Sequence, residues 1–291
     1  MKTKHLLSGI LVVAVLFCIN SLVFAKESEN SIQIKGSDTM VNLGQAWAEE
    51  FMIENPQTSI AVTGGGSGTG IAALINGTCD IAETSREMKP QELELAKKNG
   101  HNAREFKVAI DALAVVVHPS NPVKQLTFDQ ISGIFTGKIT NWNEVGGNDQ
   151  KILVLSRDRN SGTHVYFLEH ILRKGNDKGP EQFAPEVLML PSSQAIIDEV
   201  SQSQSAIGYL GLGYVSPAVK AVAISKAGGG PFVLPSLDTA MNKTYPVARP
   251  LLFYTGRDPQ GTVKNFIGFV LSEKGQEIVR TMDFVPLGDK A

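Results

Sequence analysis

The residues with the most chemistry in this chain lie in "SRDRNSGTHVYF", residues 156–167. Arg157 and Arg159 precede Ser161, Gly162 and Thr163, and a run with helical apolar spacing follows. The first N–H groups of a helix have no partner within it, and the helix dipole is positive at that end. Such an end, flanked by guanidiniums and hydroxyls, suits an anion. The plainer reading is two solvated arginines and an ordinary serine cap.

Two more turns are built alike. "IKGSDTM", residues 34–40, offers Ser37, Asp38, Thr39 and the Met40 backbone, and "VTGGGSGTGI", residues 62–71, offers Ser67 and Gly68. Each runs from a strand into a helix. One such turn is most often structural. Three in one chain favour a shared anion beyond the carboxyl ends of the strands. "GGGSGTG" is not a P-loop, because Ile71 follows Gly70 where Lys-Ser/Thr is required. Its match to Gly-x-Gly-x-x-Gly reflects only its abundance of glycine.

The elements that must position these turns alternate. "SIQIK", "SIAV" and "CDIAET" read as strands, with helices in "DTMVNLGQAWAEEF", "IAALI" and "KPQELELAKKNG". A second series follows: helix "TFDQISGIFTG", strand "KILVLS", helices "THVYFLEHIL" and "SSQAIIDEVSQ", then strands "SAIGYLGLGYV" and "KAVAIS". "TVKNFIGFVLSEKGQEIVRT" reads as one helical segment near the end. The order predicts an α/β fold of two lobes, each a mostly parallel sheet flanked by helices. Two long apolar stretches, Asp111 to Pro119 and Tyr245 to Thr255, are the expected crossings. Lobe 1 is then residues 26–112 plus 249–291, and lobe 2 is 113–248.

Lys2 and Lys4, an apolar run to Phe24, and Ala25 predict a signal peptide over residues 1–25. An uncleaved anchor is the alternative reading. Bulky Phe17 argues against lipid attachment at Cys18. Without Lys2 and Lys4 the formal charge moves from −2 to about −4, a poor match to nucleic acid. Cys79 then has no partner for a disulfide and reads as a small core residue at a strand start. No Cys or His pair has metal-ligand spacing, so neither metal nor cofactor is expected. His164 reads as solvated surface on the first turn of its helix.

"GSDTM", "GGGSGTGI", "DIAETSRE", "GIFTGKITNWNEVGG" and "SRDRNSGT" occur in this order, and together they are specific. Over nearly its whole mature length the chain resembles the phosphate-binding component of phosphate ABC transporters, a type II periplasmic binding protein. The resemblance implies a periplasmic monomer that binds inorganic phosphate and delivers it to a membrane permease. It implies ligand contacts from Thr39, the Met40 backbone, Ser67, Arg157, Ser161, Gly162 and Thr163. Arg157 is preferred over Arg159 because its spacing to Ser161 matches the family. "FTGKITNW" is assigned to packing. Well-known members carry an aspartate after the third strand that accepts the proton of hydrogen phosphate. Here that place falls close to Ser85, followed by Arg86. Ser85 is expected to be a ligand; Arg86 is either a second cation on the anion or paired with Glu83 or Glu87. Ser37, Asp38, Gly68 and Asp111 are further candidates. Asp111 interrupts "VAIDALAVVV", where a charge is costly unless used. It either reads the phosphate proton or is a hinge residue bonded to backbone N–H groups or paired with Arg86. Asp38 is the alternative reader, although a helix cap explains it.

Two competing functions remain open. The missing aspartate would suit another oxyanion, such as sulfate or molybdate. A secreted phosphatase or serine hydrolase would have only Ser161 and His164 to work with. No Gly-x-Ser-x-Gly elbow is present, so no catalytic residue is expected.

Overall fold

The computed structural model describes residues 30–176 and 178–288; the predicted signal peptide and Cys18 lie outside them. β1 (Ser31–Gly36) is flanked in parallel by β2 (Ser59–Thr63) and β3 (Ile81–Thr84). Helix Val41–Glu54 connects β1 to β2 and buries Leu43, Trp47 and Phe51 at the predicted spacing. Helix Ser67–Ile75 connects β2 to β3, and helix Pro90–Lys98 leads to β4 (Arg104–Val117).

The second series begins with β5 (Gln125–Thr127) and helix Phe128–Phe135. Thr127 caps that helix by accepting from Gln130 N, and the Gln130 side chain reciprocates. β6 (Leu153–Arg157) runs into helix Gly162–Phe167, which loosens into a π turn over Leu168–Leu172. β7 (Leu188–Leu190), helix Ser193–Gln202, β8 (Ala206–Gly211), β9 (Lys220–Ala221), β10 (Ala223–Ser225) and β11 (Ala248–Thr255) follow. The expected single terminal helix is two, Gly261–Val270 and Glu273–Thr281. Ser272 interrupts it, because its hydroxyl accepts from Gly275 N and caps the second helix.

The molecule is two-lobed and mixed α/β. Among the described residues one nine-stranded sheet runs in the order β2-β1-β3-β11-β4-β8-β6-β7, with β9 also on β4. The crossing strands are therefore inside the sheet. β4 pairs antiparallel with β11 through its first half and with β8 through its second. The packing changes sides along these strands. Val108, Ala109 and Leu251 pack with Trp47, Phe253 and Phe266. Ala112, Leu113, Tyr245 and Val247 pack with Phe135, Phe167 and Tyr209. Asp111 and Arg249 occupy the intervals where one core gives way to the other.

Trp142 is buried in the second core and donates its indole N–H to Ser205 O (2.9 Å), consistent with a packing role for "FTGKITNW". Cys79 is half-buried just before β3. Burial, then the charge of Asp80, push its thiol up to about 12, so it is a poor nucleophile.

Candidate anion-binding site

The predicted turns meet. Ser37, Thr39 and Met40 follow β1, Ser67 opens the helix after β2, Ser85 follows β3, and Ser161, Gly162 and Thr163 follow β6. All eight are buried. Their hydroxyls touch across the lobes and within them. Thr39 Oγ1 lies 2.9 Å from Thr163 Oγ1, Ser37 Oγ donates to Ser85 Oγ at 3.0 Å, and Ser67 Oγ lies 3.3 Å from Ser85 Oγ. Ser67 Oγ also accepts from Ser85 N (3.0 Å). Ser161 Oγ accepts from Thr163 N (3.2 Å) and caps the helix that Gly162 begins.

Two glycines have physical reasons to be glycine. Gly66 has φ +96°, where a side chain would be strained, and a Cβ there would press on Asn160 O. The space a side chain at Gly162 would need is filled by the hydroxyls of Ser67 and Ser85. Gly68 N donates to Asn160 O (2.9 Å), and Asn160 Nδ2 donates to Gly65 O (2.7 Å), so the glycine turn is stitched to the Arg157 loop.

Arg157 is buried, so the plainer reading of two solvated arginines holds only for Arg159, which is exposed. Arg157 Nη1 donates to Ser193 Oγ (3.0 Å) and Nη2 to Pro191 O (2.8 Å). Nη2 also pairs with Asp38 Oδ2 at 3.1 Å, while Nε is buried without a partner. Burial pushes its pKa down and Asp38 pulls against that; an arginine remains a cation through such shifts. Asp38 does not cap its own helix. Its Oδ2 accepts from Ser193 N (2.8 Å) at the start of helix Ser193–Gln202, and its carbonyl accepts from Tyr214 Oη (2.9 Å).

Several expected pairings are corrected. Arg86 pairs with neither Glu83 nor Glu87 side chains. It forks onto Glu92, at 2.8 and 2.7 Å, because Glu92 sits at the third position of the next helix, within easy reach. That engagement occupies both Nη atoms and leaves Nε buried without a partner. Asp111 is not paired with Arg86. Its Oδ2 accepts from Arg249 Nε (3.1 Å) and Nη2 (2.8 Å), and Oδ1 accepts from Leu212 N (3.3 Å). Burial pushes the Asp111 carboxyl up, and Arg249 opposes that. His164 is buried rather than solvated. Nδ1 lies 3.1 Å from Ser156 Oγ, not from Ser161, and its ring stacks on Phe183 at 4.4 Å. Burial lowers its pKa to about 4.

Sequence reasoning missed Arg249. Its Nη1 donates to Ser85 O (3.1 Å) and Nη2 to Thr163 Oγ1 (2.9 Å), and it is 1% exposed. The signal was present: one cation in "YPVARPLLFYT" mirrors one anion in "VAIDALAVVV". A groove of about 780 Å³ between the lobes is lined by Arg249 together with Arg86, Lys89, Tyr166 and His170. Behind the cluster, Glu83 is fully buried and neither carboxylate oxygen has a hydrogen-bond partner. Burial, then the charge of Asp38, push it well above the usual carboxylate range.

Hydroxyls, backbone N–H groups and guanidiniums from two lobes, drawn together at the ends of parallel strands, define a solute-binding protein of the two-lobed periplasmic type. A family model described as a PBP superfamily domain matches residues 25–274. The phosphate-binding protein PstS of Pseudomonas aeruginosa is 36% identical over 272 residues, covering 88% of this chain and 82% of that protein. PstS of Bacillus subtilis is 32% identical over 268 residues, covering 91% and 83%. A phosphate ABC transporter substrate-binding protein from Clostridium perfringens, solved with bound phosphate, superposes with a TM-score of 0.78 at 35% identity, over 89% of this chain and 100% of that one. An ABC-type phosphate transport receptor from Vibrio cholerae gives 0.70 at 33% identity, over 88% and 100%. The chain belongs to the PBP superfamily and, within it, to the PstS family of phosphate-binding proteins.

Proposed function

We propose that this protein captures inorganic phosphate outside the cytoplasm and delivers it to the membrane permease of an ABC transporter for import. The observation that carries this reading is the convergence of Thr39, Ser67, Ser85 and Thr163 on one buried cluster between the lobes, with Arg249 bonded into it and Arg157 tied to Asp38, the neighbour of Thr39. Thr39, the Met40 backbone, Ser67, Ser85, Arg157, Ser161, Gly162 and Thr163 hold the anion. Ser37 and Asp38 border it. The lobes are residues 26–112 with 249–291, and 113–248. They part and close about the Asp111 and Arg249 crossings. A micromolar site requires about 8 kcal/mol. Several charge-assisted hydrogen bonds of roughly 1.5–3 kcal/mol each supply that after desolvation. We read the protein as binding rather than transforming its ligand, since the relatives it matches are named phosphate-binding proteins. Extracytoplasmic placement rests on the basic start, apolar run and Ala25 of the leader. No helix among the described residues is long and apolar enough to cross a membrane.

Calorimetry of the mature chain, stripped of ligand, against phosphate, arsenate, sulfate and molybdate tests this. Micromolar or tighter binding of phosphate and arsenate, with sulfate and molybdate at least a hundredfold weaker, is expected. Preference for sulfate or molybdate would replace phosphate as the ligand. That second reading has one specific observation behind it, Ser85 standing where well-known members have a carboxylate.

A further inference from the structure

We propose that Arg249 is a positioning residue for the bound anion: it compels the Thr163 hydroxyl to donate its proton into the site, and Asp111 holds the guanidinium in place to do so. The proposal rests on the phosphate reading of the cluster.

A threonine hydroxyl has one proton to donate and two lone pairs to accept with. An arginine can only donate. Arg249 Nη2 lies 2.9 Å from Thr163 Oγ1, so the threonine is the acceptor in that bond. Its proton must therefore point elsewhere, toward Thr39 Oγ1 at 2.9 Å or toward an anion oxygen in the same cluster. An anion with only acceptors on its unprotonated oxygens needs donors already oriented. Thr163 is thereby preset as a donor, its proton turned away from Arg249 and toward the cluster.

The placement of Arg249 fits this task. It reaches Ser85 O from one lobe and Thr163 Oγ1 from the other, and lies 3.5 Å from Thr39 Oγ1. Asp111 stands directly opposite in the β4–β11 ladder and takes both Nε and Nη2 on one oxygen. That leaves the guanidinium with one orientation. A buried ion pair at a strand crossing is weak as a device for stability, since well-packed apolar residues often serve as well or better. A reason tied to the cluster is required, and the Thr163 contact supplies one.

A double-mutant cycle on the mature full-length chain tests this, read by phosphate calorimetry. Thr163→Val in the parent background is expected to weaken phosphate binding at least tenfold. Asp111→Asn with Arg249→Gln removes both members of the pair together and leaves no unpaired buried charge. In that background Thr163→Val is expected to cost less than threefold, because the hydroxyl is no longer preset. Asp111→Leu with Arg249→Met, an apolar pair with no donor for Thr163, provides the same cycle if the first paired change unfolds the chain. A cost of Thr163→Val equal within twofold in both backgrounds would overturn the proposal and leave Arg249 as a hinge ion pair. A parent that binds no phosphate would overturn the phosphate reading itself, and the proposal with it.

Discussion

Arg157 Nη2 and Asp38 Oδ2 lie 3.1 Å apart, joining the end of β6 to the turn after β1. The pair is the cationic centre predicted from "SRDRNSGT" together with the aspartate of "GSDTM". It couples the two lobes at the edge of the hydroxyl cluster. Asp38 also accepts from Ser193 N, so one carboxylate is shared between a guanidinium and a helix start.

Arg157→Ala is expected to weaken phosphate binding at least tenfold, a loss of about 1.4 kcal/mol or more. Arg159→Ala should change it less than twofold, since Arg159 is exposed. Calorimetry on the two variants checks the assignment; equal losses, or the reverse order, would show that the wrong arginine was chosen.

Selectivity should follow Asp38 rather than Asp111. Hydrogen phosphate keeps a proton near neutral pH and sulfate keeps none, so a carboxylate at the site favours the first and repels the second. Both Asp111 oxygens are occupied by Arg249 and Leu212 N. Asp38→Asn should move the phosphate-to-sulfate affinity ratio toward sulfate by about tenfold, one unit of 1.4 kcal/mol. Asp111→Asn should leave that ratio within twofold, whatever it does to both affinities. Competition titrations with the two anions read this directly.

Glu83 should make the protein less stable as pH rises. Its folded pKa is raised well above the unfolded one by burial and the charge of Asp38. Below the unfolded pKa both states are protonated and no penalty exists. Between the two pKa values the folded state binds the extra proton, and stability falls by about 1.4 kcal/mol per pH unit. Glu83→Gln keeps the shape and removes the titration. Denaturant melts from pH 4 to 8 should give a parent-minus-variant stability difference that falls as pH rises.

His164 acts at the other end of the scale. Its folded pKa is about 4, depressed chiefly by burial, against about 6.5 unfolded. Above 6.5 both states are neutral. As pH falls from about 6.5 to 4 the unfolded state gains the proton first, and stability is lost. His164→Gln should flatten the acid side of the profile between those limits. An unchanged acid limb in the variant would assign that loss to other groups.

The three turns were legible because anion chemistry of this kind is local: a strand end, a glycine, a hydroxyl and a helix start lie within about ten residues of one another. The alternation of strands and helices was legible for the same reason. What escaped were choices of partner. Arg86 found Glu92 rather than its nearer acidic neighbours, because the capping position of helix Pro90–Lys98 brings that carboxylate back toward the turn. Asp111 found Arg249 across 138 residues, a pairing fixed by the antiparallel register of β4 and β11. His164 lies on the side of its helix that faces Phe183, and six residues of helix carry too little periodicity to show this. The interruption at Ser272 was available in the sequence as an N-cap inside an apolar-periodic run.

The continuity of the sheet bears on how the molecule comes apart. β4 lends its first half to β11 and its second half to β8, so strand pairing passes from one lobe into the other along a single strand. Neither lobe can lose its central strand without stripping the other of an edge. Chains with two cores usually melt in separable steps. Here cooperativity is written into the backbone itself, and a calorimetric scan should record one heat-absorption peak for the entire protein.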